Sequence, residues 1–88
     1  MNKIYEIIEE NKWEPMPHGF FSSKGNAIKI GYKKIIRRWI EEENMKGMKN
    51  FTHHMSKNDK LILEYQDIKD NNRTHMVKYS IVEHDVDV

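Results

Sequence analysis

The stretch NAIKIGYKKIIRRWI, residues 26–40, has the clearest periodic pattern in this chain. Its large apolar side chains recur every three or four residues, which places them within an arc of about 140° on one side of an α-helix. They are Ile28, Tyr32, Ile35, Ile36, Trp39 and Ile40. We therefore expect a long amphipathic helix that packs this stripe, Trp39 included, against the core and ends before Gly47.

Where this helix begins is ambiguous, because Gly31 lies within the pattern. A glycine inside a helix costs about 1 kcal/mol relative to alanine. The helix begins either at Asn26 or at Tyr32, and in the second case residues 27–30 form a short strand. Prolines, glycines and serines in residues 13–26 predict an irregular connection that its aromatic side chains pin to the core and that has room for a short strand.

The first residues of the chain predict a short N-terminal helix. Asn2 is a suitable N-cap, and Ile4, Ile7 and Ile8 follow the spacing of one helical stripe. The prolines that follow predict that this helix ends near Asn11, since proline cannot continue a helix.

The C-terminal third predicts an antiparallel β-hairpin, because apolar and polar residues alternate on both sides of a turn-forming segment. A turn centred on Asn71 pairs position 65 with 77, 63 with 79 and 61 with 81, and places Asp67 opposite His75. Residues 48–59 stay ambiguous between a further short helix and a connection ending in a turn. Residues 84–88 are expected to form a frayed acidic tail.

Length and composition indicate one small domain over residues 1–88 with a net charge of +1. The absence of cysteine excludes disulfide scaffolds and thiol catalysis and favours a cytoplasmic location. No apolar run is long enough for a membrane span, so no membrane partner is expected. The many lysine, isoleucine and asparagine codons are typical of a low-GC bacterium or one of its phages.

Together these patterns predict the α+β class, with a short N-terminal helix, a long basic helix and a C-terminal hairpin. This element order resembles that of winged helix-turn-helix proteins, and residues 30–40 resemble their helix-turn-helix segment, with Gly31 leading into a basic and apolar helix. The resemblance implies a regulator that binds duplex DNA.

The basic residues carry the functional prediction. Residues 15–40 contain six cations and no acid, which indicates an oriented charged surface in a nearly neutral protein. Nucleic acid favours such an array because each cation that meets a phosphate releases condensed counterions. The predicted contacts are those of the helix and of the hairpin turn: Lys29, Lys33, Lys34, Arg37, Arg38, Asn71, Asn72 and Arg73. The alternative is a solvated helix face partly neutralised by Glu41–Glu43.

A second hypothesis is a small protein-binding inhibitor or adaptor of the phage type, which would occlude the surface of a host protein. Phe20 and Phe21 are adjacent in a segment rich in glycine and serine, where both rings are difficult to bury. An exposed ring there is a suitable anchor for a protein partner. A homodimer is compatible with either function.

Catalysis, metal binding and a cofactor are not expected. No serine has a neighbouring base and orienting group, and the chain has no glycine-rich phosphate loop. The adjacent His53 and His54 point apart on either a helix or a strand, while His75 is expected to pair with Asp67 across the hairpin. The sequence therefore predicts a binding protein rather than an enzyme.

Overall fold

A long C-terminal strand lies at the centre of this protein. The structure is a computed structural model, and it describes residues 2–10 and 16–86. Among these residues five strands form one antiparallel sheet in the order β2-β1-β5-β4-β3. The strands are β1 Asn2–Glu9, β2 Met16–Phe21, β3 Met48–Met55, β4 Leu61–Asp67 and β5 Arg73–Val86. A continuous helix (Lys24–Asn26, a π-helical stretch Ala27–Tyr32, then Lys33–Lys46) lies on one face, and a 3₁₀ turn, Ile68–Asp70, precedes β5.

Strand β5 joins two halves of the sheet. Its C-terminal part pairs with β1 from Glu9↔Tyr79 to Asn2↔Val86. Its N-terminal part pairs with β4 from Leu61↔Tyr79 to Asp67↔Arg73. The two sets of pairs share only Tyr79. At roughly 3.3 Å per residue such a strand is about 46 Å long, which accounts for the 50 Å long dimension of the molecule.

The core lies between the helix and one face of the sheet. The helix contributes Ala27, Tyr32 and Ile35, and the sheet contributes Ile7, Leu61, Leu63 and Tyr79. On β1, β4 and β5 these are odd-numbered positions, since successive side chains of a strand point to opposite faces. Even-numbered side chains such as Glu6 and Ser80 lie on the other face, which we call the open face.

At Gly31 the helix packs closely against the sheet. A Cβ atom there would lie 2.8 Å from Cζ of Phe21 and would also meet Cδ1 of Ile7. The glycine is therefore required by close packing, and it is not a helix-turn-helix turn. The π-helical stretch surrounds this position and places Ala27, Gly31 and Tyr32 together in the buried contact.

The predicted fold class was wrong. The structure has five strands in one sheet and a single helix in the middle of the chain, and the winged helix-turn-helix order is absent from the described residues. The predicted N-terminal helix is β1, in which Ile7 faces the core while Ile4 and Ile8 face the other side. A spacing of three and four fits a helical stripe, but isoleucine also favours strands, and pairing with β2 and β5 decides the outcome.

The segment 48–59 is β3 followed by the predicted turn, and the further helix was the wrong alternative. Its register shifts between Lys49 and Thr52, where Asn50 has a φ of 55°. A bulge adds one residue to a strand, so the spacing between side chains of one face changes there and mimics a helical pattern.

The hairpin strands are present, but their register differs by two residues from the predicted one. Position 61 pairs with 79, Tyr65 pairs with His75, and Asp67 pairs with Arg73. A shift of two residues leaves every side chain on its face, which is why the apolar pattern alone could not fix the register. The turn comprises residues 68–72 and is centred on Asp70 instead of Asn71, and Asn71 and Asn72 within it both adopt positive φ. Of the tail predicted at 84–88, residues 84–86 continue β5, and 87–88 lie outside the described residues.

The helix begins at neither predicted position. The Oγ of Ser23 accepts a hydrogen bond from the Asn26 backbone N–H at 3.0 Å, so the helix starts at Lys24. It ends as predicted at Lys46, followed by Gly47 with a φ of 73°. Ile40, expected in the core stripe, is 46% exposed. Among the described residues, no helix combines the length and the apolar composition that crossing a membrane requires.

Candidate nucleic-acid interface

The helix carries its cations on the side that faces away from the sheet. Lys24, at the start of the helix, pairs with Asp59, and the five described cations that follow it are exposed. We call these five the basic face: Lys29, Lys33, Lys34, Arg37 and Arg38. Between them in sequence lie the buried Gly31, Tyr32 and Ile35. Because the buried residues fix the rotation of the helix on the sheet, the cations face solvent.

The basic face keeps its charges available. No ion pair joins any of its five side chains to a carboxylate within the set of side chains that the structure describes, which excludes residues 43–46. Partial neutralisation by residues 41–43 was the alternative prediction, and Glu41, whose side chain is described and exposed, forms no ion pair with the basic face. The array is therefore free to attract an anionic partner.

The hairpin tip lies apart from the basic face. The backbone N–H of Ile68 donates to the Gly47 carbonyl at 3.0 Å, so the tip adjoins the C-terminal end of the helix. At 1.5 Å per residue, Gly47 is about 13 Å beyond Arg38 along the helix axis. Asn71 and Asn72 are exposed, and Nε of Arg73 lies 3.9 Å from Oδ2 of Asp70. The described contacts thus do not combine these tip residues with the helix cations into one cluster.

The two adjacent phenylalanines have different environments. Phe21 pairs with Tyr5 on the helix side and packs against the core. Phe20 pairs with Glu6 on the open face and is 59% exposed. Strand alternation separates the two rings, so only Phe20 is available to a partner.

A buried polar network beneath the helix holds it in place. Nε1 of Trp39 donates to the Tyr79 hydroxyl at 2.8 Å, and that hydroxyl donates to Oε1 of Glu9 at 3.0 Å. Nε2 of His18 lies 3.6 Å from the same Glu9 oxygen, and its ring meets the Tyr79 ring edge-on at 5.2 Å. Burial raises the pKa of Tyr79 well above its usual range, so this hydroxyl stays protonated as a donor. The network fixes which side of the helix faces the sheet.

Sequence reasoning missed this network because it predicted a helix at the N-terminus, on which Glu9 lies outside the stripe of Ile4, Ile7 and Ile8. Glu9 is only 7% exposed. The signal that could have located it is the alternation Tyr5, Ile7, Glu9 in a strand, which puts the carboxylate on the same face as a buried isoleucine. Trp39 was correctly assigned to the helix side, where it packs against the core.

The histidines are distributed over several parts of the sheet. His53 and His54 lie in β3, and Nε2 of His84 lies 2.9 Å from Oε1 of Glu6 on the open face. His75 stacks on Tyr65 and lies 3.3 Å from Asp70, so its predicted pairing with Asp67 was wrong. Among the described residues no three acidic or histidine side chains converge on a point where a metal ion could bind.

Comparison with known proteins adds no family to this description. No protein-family model, no curated protein and no solved structure matches this chain.

Proposed function

We propose that this protein is a small, non-catalytic nucleic-acid-binding protein that contacts the phosphates of duplex DNA through the basic face of its helix. The observation that supports this most directly is the exposure of five cations on one helix side without ion pairs to described carboxylates. Lys33 and Arg37 lie four residues apart in the α-helical part, about 6 Å along its axis, and Lys29 precedes Lys33 by four residues across the π-helical stretch. This step is close to the spacing of successive phosphates along one strand.

The contacts we propose are to the backbone and do not require reading of the bases. The helix is fixed on the sheet by Gly31 and by the Trp39–Tyr79 hydrogen bond, so its cations form a rigid row. A rigid row of cations positions a protein on DNA, whereas sequence is read by side chains that reach base edges. Binding is therefore expected to depend strongly on salt and weakly on sequence.

The test is fluorescence anisotropy with a duplex of about 20 base pairs over a series of salt concentrations. Five phosphate contacts predict a slope of log K against log salt near −4.5, since each contributes about 0.9. The variant carrying Lys33→Gln and Arg37→Gln should reduce the magnitude of that slope by about 1.8. A slope near zero, or no binding below about 100 μM at low salt, would refute the proposal.

A matched control separates the basic face from total charge. Lys57 lies in the exposed turn after β3, and Lys78 lies on the open face. Lys57→Gln with Lys78→Gln removes the same two charges away from the helix and should leave the slope unchanged. Equal loss in both double variants would mean that general charge, and not this surface, drives binding.

A second candidate function is supported by the exposed ring of Phe20. In the protein-binding alternative, Phe20 anchors a host protein, because aromatic side chains are favoured as anchors of interfaces. Capture from nuclease-treated host lysate distinguishes the two. A stoichiometric protein that is lost with Phe20→Ala but kept with Lys33→Gln and Arg37→Gln supports this alternative, and the opposite pattern supports the basic face.

We also propose a cytoplasmic location. The chain contains no cysteine, which suits a reducing compartment, and duplex DNA is found there in bacterial cells. Fractionation of cells that express the tagged protein tests this directly.

A further inference from the structure

The C-terminal half of β5 has a neighbouring strand on one side only. Residues 80–86 pair with β1, while β4 leaves β5 at the Leu61↔Tyr79 pair. The hydroxyl of Tyr32 occupies that branch point, 2.7 Å from the Asp59 carbonyl oxygen and 3.3 Å from that of Tyr79. Beyond it, no described residue pairs with β5 on the β4 side, and we call this segment the free edge.

The hydrogen bonds of β1 show which backbone groups the free edge presents. The Glu10 N–H donates to the Lys78 carbonyl at 2.8 Å, so even-numbered residues of β5 direct their N–H and C=O groups toward β1. Backbone groups alternate in direction along a strand. Ile81, Glu83 and Asp85 therefore direct theirs to the free edge, over the length of a short added strand.

The two outer edges of the sheet differ from the free edge. Strand β2 contains Pro17 and a Gly19 with a φ of 123°, and β3 has the register shift at Asn50. Proline and bulges are common devices that prevent other strands from pairing with an edge. The register of residues 79–86 with β1 is continuous, so the free edge is regular and unprotected by such devices.

A second copy of this chain does not suit the free edge. Outward-facing residues must pair with each other, which leaves few antiparallel registers between two copies. In one register, Glu83 lies opposite Glu83 of the second copy. In the next register, Glu83 of each copy lies opposite Asp85 of the other. In a third register, Asp85 lies opposite Asp85. The opposite shift requires the position at Tyr79 that Leu61 already occupies. Like charges directly opposite destabilise a strand pair.

We propose that the free edge binds an extended basic segment of a partner protein, which adds a strand antiparallel to β5. An added strand presents its side chains directly opposite those of Ile81, Glu83 and Asp85. Lys3 lies 3.4 Å from Glu83 and is opposite Asp85 in the pairing of β1 with β5, so one cation serves two acids, and the exposed Asp85 has no ion pair with any described side chain. A complementary strand therefore carries basic residues opposite Glu83 and Asp85, and apolar residues opposite Ile81 and Val82.

A capped pentapeptide of sequence lysine-threonine-lysine-valine-isoleucine is the probe, since in an antiparallel register its residues lie opposite positions 85 to 81. Amide NMR signals of the full-length protein are followed as the peptide is added to about 1 mM. We expect shifts centred on Ile81, Glu83 and Asp85, and hydrogen exchange of these three amides slowed at least about tenfold. The matched peptide with glutamate in place of both lysines should produce neither effect.

Two changes test whether the backbone itself is the contact. Asp85→Pro removes an outward N–H, whereas Asp85→Ala keeps it and removes only the charge. We expect a larger loss of affinity for the proline variant, with the Val82 and His84 amides still protected by β1. A peptide methylated on the backbone nitrogens of its two lysines and its isoleucine provides the same test without changing the protein. This peptide should not bind.

Several results would overturn the proposal. One is an equal response to the lysine and glutamate peptides, and another is undiminished binding of the methylated peptide. Shifts confined to β2 or β3 would place the contact elsewhere. Slow exchange of the Ile81, Glu83 and Asp85 amides in a dimer detected by sedimentation would show that a second copy covers the edge.

Discussion

Replacing Gly31 with alanine tests the contact between helix and sheet. Alanine has the higher helix propensity by about 1 kcal/mol, so an exposed glycine in a helix is stabilised by this change. At Gly31 the added methyl group would lie 2.8 Å from Cζ of Phe21 and closer still to Cδ1 of Ile7. Ile7 is fully buried, so it has no solvent to move into.

The expected magnitude follows from these opposing effects. Overpacking a core typically costs 1–3 kcal/mol, and about 1 kcal/mol of propensity offsets part of it. We expect Gly31→Ala to lower the free energy of unfolding by about 1 kcal/mol, measured by urea denaturation. Gly25→Ala is the control, because its nearest neighbour is Oγ of Ser23 at 3.9 Å. That variant should gain up to about 1 kcal/mol.

A double-mutant cycle identifies the clashing atom. Ile7→Val removes Cδ1 and by itself costs about 0.5–1.5 kcal/mol. In the Gly31→Ala background the same change relieves the overlap, so the two losses should not add. Additive losses, or a Gly31→Ala protein as stable as Gly25→Ala, would show that the helix does not approach the sheet as closely as described.

Three other changes probe hydrogen bonds and titration. Tyr79→Phe removes two hydrogen bonds at once, the one from Trp39 and the one to Glu9, and should lower the free energy of unfolding by about 2–4 kcal/mol, against less than about 1 for Tyr5→Phe, whose bond is exposed. Burial raises the pKa of Tyr32 from 10.0 to about 12. The free energy of unfolding, measured by urea titration, should therefore fall as pH rises from about 10 to about 12, and Tyr32→Phe should reduce this fall. The Ser80 hydroxyl, followed by Lys60, lowers the pKa of Glu10 below 4.5. Stability should therefore decrease as pH falls through this lowered value, and Ser80→Ala should weaken that decrease.

The helix and the C-terminal hairpin strands could be predicted from sequence because each depends on local periodicity. The stripe from Ile28 to Trp39 repeats at the helical period, and Leu61, Leu63 and Tyr65 alternate. Exposure of the basic face follows from the same stripe. What local pattern could not supply was the pairing of β1 with β5, whose residues lie 70 or more positions away in the chain. Without that partner the isoleucines of β1 fit a helix equally well.

The remaining errors have separate physical causes. In β3 the bulge at Asn50 changes the alternation, so Met48 and Phe51 have a helix-like spacing. Gly31 indicates a turn when read locally, but it is required by Phe21, which lies ten residues earlier in another element. Glu9 looked solvated because its buried partner Tyr79 comes from the far end of the chain. Each error concerns a residue whose role depends on a distant contact.

A net charge of +1 does not oppose the proposed DNA contact, because several of the acidic side chains lie on the open face, away from the helix. Acidic side chains of the open face, Glu6 and Glu10, are engaged by His84 and Lys60. The sheet separates that face from the helix, and solvent-exposed charges further apart than the Debye length, about 8 Å at physiological salt, are largely screened from each other. The acids of the open face therefore reduce the field at the basic face only slightly. A duplex that approaches from the helix side meets a locally cationic surface.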